Sequence, residues 1–464
     1  MRIPFAINSY KHRDLPVSAQ RLINWFVEAE PQNARSPLVL LPTAGLGRFT
    51  LLPTGPVRGM RVMGSYLYVV SGIGVYRVDV SGAYLFLGNV ADGGPVSLAD
   101  NGQQMSIVVP ETTQAWYTTS TTLTQITDAD FGGAVYCTSL DGFGVFVSPN
   151  STQFFISGLK DMASYDALQF ASAEADPDNL VAALRVGREL WLFGERTTEI
   201  WSNTGASNFP FQRISGAFIE RGLAARNSVA QLGGVPFWLG DNRLVYQGNG
   251  AQAPQRISTH AIEQAIAGYA TVSNARGFVY EQEGHTFYVL SFPSAGATWV
   301  YDTITSVWHE RESEGYNYWR AGISAAFAGA VIAGDVVDGR LYVIDPTAGL
   351  EDGAQIIRVA DSATVLSSGK RMFHKQLTLD IETGMGLTTG QGSDPVVFLS
   401  WSDDGGRSFS NERTASLGKI GAYKTRVQFN RLGSSRQRVY RVQMSDPVRT
   451  AISAMDLEAT PGNG

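Results

Sequence analysis

The stretch GSYLYVV (Gly64–Val70) is an apolar strand entered through a glycine turn, and it returns six more times along the chain. The later copies are QQMSIVV (Gln103–Val109), GFGVFVS (Gly142–Ser148), GRELWLF (Gly187–Phe193), GGVPFWL (Gly233–Leu239), GHTFYVL (Gly284–Leu290) and DGRLYVI (Asp338–Ile344). With Leu67, Ile107, Val145, Leu190, Phe237, Phe287 and Leu341 as anchors, the gaps are 40, 38, 45, 47, 50 and 54 residues. Most anchors are followed by a second strand, as in VYRVDV (Val75–Val80), TQFFIS (Thr152–Ser157), TEIWSN (Thr198–Asn203), LVYQGN (Leu244–Asn249) and TWVYDT (Thr298–Thr303). A small antiparallel sheet repeated at that period is the signature of a β-propeller. The expectation is an all-β protein with a six- to seven-bladed propeller over residues 56–350.

The flanks are read differently. Residues 1–55 form an irregular lead-in, with a helix expected over Val17–Ala29, where Leu22, Ile23, Phe26 and Val27 share a face. Within it, Ser36–Gly55 supplies two apolar strands suited to pairing with the last blade, since a propeller otherwise leaves open edges. A second helix is expected at STHAIEQAIAGY, capped by Ser258 or Thr259, with Ile262, Ala265, Ile266 and Tyr269 on one face. Residues 351–370, containing DSATVLSSGK, read as a linker. Residues 371–464 carry five further strands, among them KTRVQFN (Lys424–Asn430) with its wet and dry faces alternating, and read as a small C-terminal β-sandwich-like domain.

Composition narrows the chemistry. Of 464 residues 44% are hydrophobic and 17% charged, with 50 glycines, which suits short strands and tight turns rather than disorder. A net charge of −6 argues against a protein that wraps nucleic acid over its whole surface. One cysteine, Cys137, excludes an internal disulfide framework and a cysteine-based zinc site. No apolar span of membrane-crossing length occurs, so no stable membrane insertion is expected. The five histidines are scattered, no nucleophile elbow, phosphate loop or dinucleotide fingerprint is present, and neither a catalytic residue, a metal nor a cofactor is expected.

Two constellations remain. SDDGGRSF (Ser402–Phe409) matches an Asp-box through Ser402, Asp404, Gly406 and Phe409. The carboxylate accepts turn N–H groups, glycine permits positive φ and the ring tucks beneath, so a structural hairpin is the expected role. Glycosidase chemistry would need two carboxylates across one bond. Asp79, Asp141, Glu195, Asp241, Glu281, Asp302 and Asp338 are available, most in turn-like contexts. Between Asp403 and Arg449, ten basic residues face four acidic ones. Of these, Lys424, Arg426, Arg436, Arg438 and Arg441 are candidate contacts to DNA or a protein partner.

The segments NSYKHRDLPVSAQRLINWFVEAEPQNARSPLVLLPTAGL (Asn8–Leu46), GRELWLFGERTTEIWSNTGASNFPFQRISGAFIERGLAARNSVA (Gly187–Ala230), DNRLVYQGNG with the STHAIEQAI helix (Asp241–Ile266) and WSDDGGRSFS (Trp401–Ser410) resemble the packaged-DNA stabilisation proteins, the tail hub or nozzle proteins of short-tailed phages. That resemblance covers nearly the whole chain. It implies a structural virion protein made in the host bacterial cytoplasm, a homo-oligomer, specifically a hexamer, beneath the portal and its adaptor ring. It also implies transient contact with genomic double-stranded DNA, and docking of tail fibre, spike or needle proteins. The alternative is a glycan-binding or glycan-cleaving, sialidase-like propeller, which would show an arginine cluster and paired carboxylates at the propeller axis.

Overall fold

A computed structural model describes residues 1–5, 8–12, 18–29 and 37–462. Seven runs of four antiparallel strands follow one another, among the described residues, from Val57 onward. Their first strands are Val57–Met63, Ser97–Asp100, Tyr136–Leu140, Leu180–Val186, Ala230–Leu232, Arg276–Gln282 and Ala321–Phe327. Several first-to-second hairpins close on two residues that both carry positive φ, such as Asp141–Gly142 and Glu283–Gly284. Mirror-image turns of this kind match the twist of the flanking strands and explain the Asp-Gly and Glu-Gly pairs.

Six of the seven anchors lie on second strands, where both faces are buried: Leu67, Ile107, Val145, Leu190, Phe237 and Phe287. The seventh differs. Leu341 belongs to the third strand, Arg340–Asp345, and the second strand of that sheet is Ala330–Asp335. Its core residue Ile332 follows Phe287 by 45 residues, so the strand period is kept and the 54-residue spacing to Leu341 reaches one strand further. The fourth strand of this sheet is Gly45–Leu51, drawn from the chain's beginning and pairing antiparallel from Arg340↔Leu51 to Asp345↔Gly45.

Apolar clusters form between neighbouring sheets rather than within one. Val70, Val75 and Val96 with Ile107 join the first to the second, and Phe146 with Val108 joins the second to the third. The cluster of Val57, Leu67 and Val69 with Phe327, Ile332 and Leu341 joins the first to the seventh. Each cluster removes several large side chains from water at about 1.5–3 kcal/mol apiece, and this is what holds sheets with few inter-sheet hydrogen bonds together.

The described part of the lead-in holds several short strands, and the helix expected over Val17–Ala29 is absent from it; Val17 itself lies outside the described residues. Leu22–Ile23 and Trp25–Ala29 are strands. Between them Asn24 takes φ 56°, which interrupts any helix, and its side-chain amide donates to the carbonyls of Glu312 and Ile357. Trp25 and Val27 enter the sandwich core while Phe26 enters the core between the sixth and seventh sheets. A strand buried on both faces shows an unbroken apolar run, which mimics a helix face.

Residues 351–370 are likewise no free linker. Arg358–Asp361 is a strand hydrogen-bonded to Leu22–Ile23 on one side and Gln437–Met444 on the other. The sandwich layers are built on Met372–Ile381 with Ile452–Pro461, and on Val396–Ser402 with Gln437–Met444. The first layer takes Trp25–Ala29 and Leu38–Pro42 as well. The helix His260–Ala267 forms, with Ile262 and Ile266 buried, but neither Ser258 nor Thr259 caps it through a side chain. Ser258 Oγ instead donates to Glu263 Oε1 at 2.7 Å and accepts from the Val245 N–H.

Candidate functional site

The Asp-box turn joins Val396–Ser402 to the strand Arg413–Ser416. Asp404 accepts from the N–H groups of Arg407 and Ser408 and from the hydroxyls of Ser402 and Ser408. The hydroxyl bonds and these turn amides hold its carboxyl well below the usual carboxylate range. Gly406 sits at φ 90° and the Phe409 ring lies 3.7 Å beneath the Arg441 guanidinium. Ser402, Asp404 and Ser408 thus spend their side-chain hydrogen bonds within the hairpin.

The five basic candidates divide by burial. Arg438 is only 2% exposed; it pairs with both carboxylate oxygens of Asp403 at 2.6 and 2.8 Å and lies over Trp401 and Tyr440. Arg441 pairs in the same two-pronged way with buried Asp361. As DNA or partner contacts these two are therefore corrected: their forks already hold carboxylates, and removing a buried partner is costly. Lys424, Arg426 and Arg436 remain exposed. The first two line a surface cavity of about 510 Å³ together with Arg2, but Asp380 and Asp456 line it too. That face is mixed rather than strongly basic.

A second cavity, about 160 Å³, lies where the first strands converge, and its lining comes from the first, second, third, sixth and seventh sheets and from the turn that precedes the fifth. It carries Arg58, Arg276, Tyr136 and Asn227, and no carboxylate is among its described lining residues. Asp79, Asp302 and Asp338 each accept a backbone N–H within their own turns on different sheets, and Asp241 accepts from the Gly222 N–H of a neighbouring segment. Among the described residues, two arginines of the kind a sialidase-like site needs thus meet in this cavity with no carboxylate in its lining. Sequence reading missed Arg58 and Arg276, because it anchored on second strands while these open first strands.

Two outer strands carry apolar side chains into solvent. Tyr84–Asn89, the edge of the first sheet, exposes Tyr84, Leu85 and Phe86. Asp161–Ser172, the edge of the third, bulges between its pairings Phe155↔Phe170 and Ser157↔Tyr165 and leaves Leu168 79% exposed. Beside the bulge lies a cavity of about 570 Å³ lined by Phe143, Leu159, Tyr165, Gln169 and Pro210. Among the described residues, no cluster of metal-ligating side chains occurs and no helix is long and apolar enough to cross a membrane.

No curated protein matches the chain in sequence. Solved structures with similar architecture include a streptogramin B lyase, at 11% identity and TM-score 0.45, covering 65% of this chain and 98% of that one. BamB from Moraxella catarrhalis matches at 9% identity and TM-score 0.42, covering 68% and 95%. The N-terminal domain of Nup159 matches at 9% and TM-score 0.41, covering 68% and 97%. Family models are more specific. Residues 1–349 match the model described as bacteriophage P22 Gp10, beta-propeller, and residues 357–460 match bacteriophage P22 Gp10, beta-sandwich. With both halves matched in order, the chain belongs to the bacteriophage P22 Gp10 family of packaged-DNA stabilisation proteins, structural components of the phage tail.

Proposed function

We propose that six copies of this protein form the tail nozzle: a ring that extends the DNA channel below the portal–adaptor complex, helps retain packaged DNA and anchors other tail components, with no catalytic role. Family membership over both halves supports this reading. The observation that carries it is the pair of outer strands with solvent-facing Phe86 and Leu168, since edge strands of a solitary protein are normally charged or covered. In this reading the channel runs between copies, and a net charge of −6 suits a wall that must let DNA leave quickly. Lys424, Arg426 and Arg436 are proposed as partner contacts, and Ser402, Asp404, Gly406 and Phe409 as a structural turn.

Native mass spectrometry of the purified protein, alone and mixed with its portal–adaptor complex, tests this. The expected product is a sixfold ring bound to the adaptor. A protein that stays monomeric and never joins a particle would overturn the proposal.

A further inference from the structure

The cavity at the convergence of the first strands has an electrostatic problem that nothing in the tail function addresses. Arg58 is 3% exposed. Its Nε and Nη1 donate to the carbonyls of Gly94, Gly72 and Ala91, while Nη2 has no hydrogen-bond partner among the described residues. Across the same cavity, Arg276 buries an Nε with no partner. Burial lowers the pKa of both groups. Asp92 and Glu111 act on Arg58 only through longer-range attraction, and no acid is resolved as acting on Arg276. Arg226, next to the lining residue Asn227 on the turn that precedes the fifth sheet, donates to the Val181 carbonyl and is also lowered by burial.

Buried guanidinium groups without a counter-ion are costly, and proteins keep such groups where a charge will meet them. A guanidinium offers a planar fork of donors that fits oxyanions two-pronged. The cavity holds about 160 Å³, where one water needs about 10–15 Å³ on the same kind of measure. That is room for a small oxyanion and its remaining waters, and far too little for a nucleic-acid duplex. The Tyr136 hydroxyl, kept protonated because burial pushes its pKa up to about 12, and the Asn227 amide add neutral donors to the same lining.

We propose that this cavity binds one small tetrahedral oxyanion, inorganic phosphate or sulfate, between Arg58 and Arg276, tying the first and sixth sheets together across the axis. Equilibrium dialysis of the full-length protein against labelled sulfate, with chloride holding ionic strength constant, reads it directly. Saturable binding of one anion per chain is expected, displaced by phosphate, and weakened about tenfold or more in R276M and R58M, as loss of a charge-assisted contact implies. Should either variant fail to fold, R276K keeps the charge but not the fork and should fall between. A wild-type melting temperature that rises with millimolar sulfate, with a smaller rise in R276M, separates site binding from general salting effects. Absence of saturable binding to the wild type, or equal binding by R276M, would overturn the site. Acetate binding as tightly as sulfate would overturn the oxyanion assignment in favour of a partner's carboxylate side chain.

Discussion

His285 shows how one residue ties the chain's beginning to its repeats. It is buried, with Nδ1 2.7 Å from Asp302 and Nε2 2.8 Å from Glu28, the latter on the Trp25–Ala29 strand. Burial pulls the imidazole down, but the two carboxylate hydrogen bonds outweigh it and hold the pKa up to about 9. A raised folded-state value means the stabilisation is complete below about pH 6.5 and lost as pH rises towards 9, at most about 3 kcal/mol from a shift of that size. His309 behaves oppositely: burial, then Arg311, lowers it to about 3, and neither ring nitrogen has a partner. Its contribution is present above pH 6.5 and declines as pH falls. Chemical denaturation across pH 5–9 should therefore show H285F losing the alkaline decline and H309F losing part of the acid one. A wild-type profile flat above pH 6.5 would contradict the His285 geometry. None of this was legible in the sequence, because the partners of His285 lie on other strands, Glu28 more than 250 positions away, and the packing that buries His309 is not local.

At the scale of elements, the decisive feature is the strand Gly45–Leu51 completing the seventh sheet. Two apolar strands in Ser36–Gly55 were legible as candidates for this task, but only one performs it; Leu38–Pro42 pairs within the sandwich instead. The hinge between them is tight. A Cβ on Gly45 would lie 2.4 Å from the Leu350 carbonyl oxygen and 2.5 Å from that of Ala348, both backbone atoms that cannot rotate away. G45A should cost about 1–3 kcal/mol in urea unfolding; an unchanged midpoint would mean that strand and sheet are not so closely seated. Among the C-terminal strands, burial predicts a division of labour between cations. R438M should lower the melting temperature by leaving the buried Leu432 carbonyl without its donor and removing the guanidinium packed on Trp401 and Tyr440, whereas the double variant K424E/R426E should leave it unchanged and weaken binding to the adaptor. Differential scanning fluorimetry with a pull-down reads both, and the reverse pattern would refute the assignment.

For the whole molecule, a buried polar joint ties the sixth sheet to the seventh, where Glu351 pairs beside Leu46 of the strand drawn from the chain's beginning. Glu351 accepts from Arg311 at 3.2 Å, from the Trp319 indole at 2.8 Å and from Ser313 at 2.6 Å, while Arg311 also donates to the Ala44 carbonyl. The guanidinium lies 3.9 Å over the Trp319 ring. E351A should cost about 3–5 kcal/mol, since it strands a fully buried arginine; a loss below about 1 kcal/mol in urea titration would show the joint is solvated. Outward, the assembly reading predicts that F86D with L168D leaves the melting temperature of the single chain intact but abolishes ring formation in native mass spectrometry. Rings that persist would place the subunit contacts elsewhere.

By itself the sequence determined the repeat, the all-β class, the two-part order and the kinship to a phage tail family. Those properties are written locally: apolar runs with period two, glycine turns, and long contiguous motifs such as Gly187–Ala230. Packing alone shows that Leu22–Ile23 and Trp25–Ala29 are strands, that Arg358–Asp361 is no linker, that Arg438 is buried and Arg441 already holds buried Asp361, and that Arg58 and Arg276 share a cavity. Each of these depends on what lies on the far side of a strand, and that neighbour comes from a distant part of the chain. Local pattern reports which faces are apolar; packing reports what they meet.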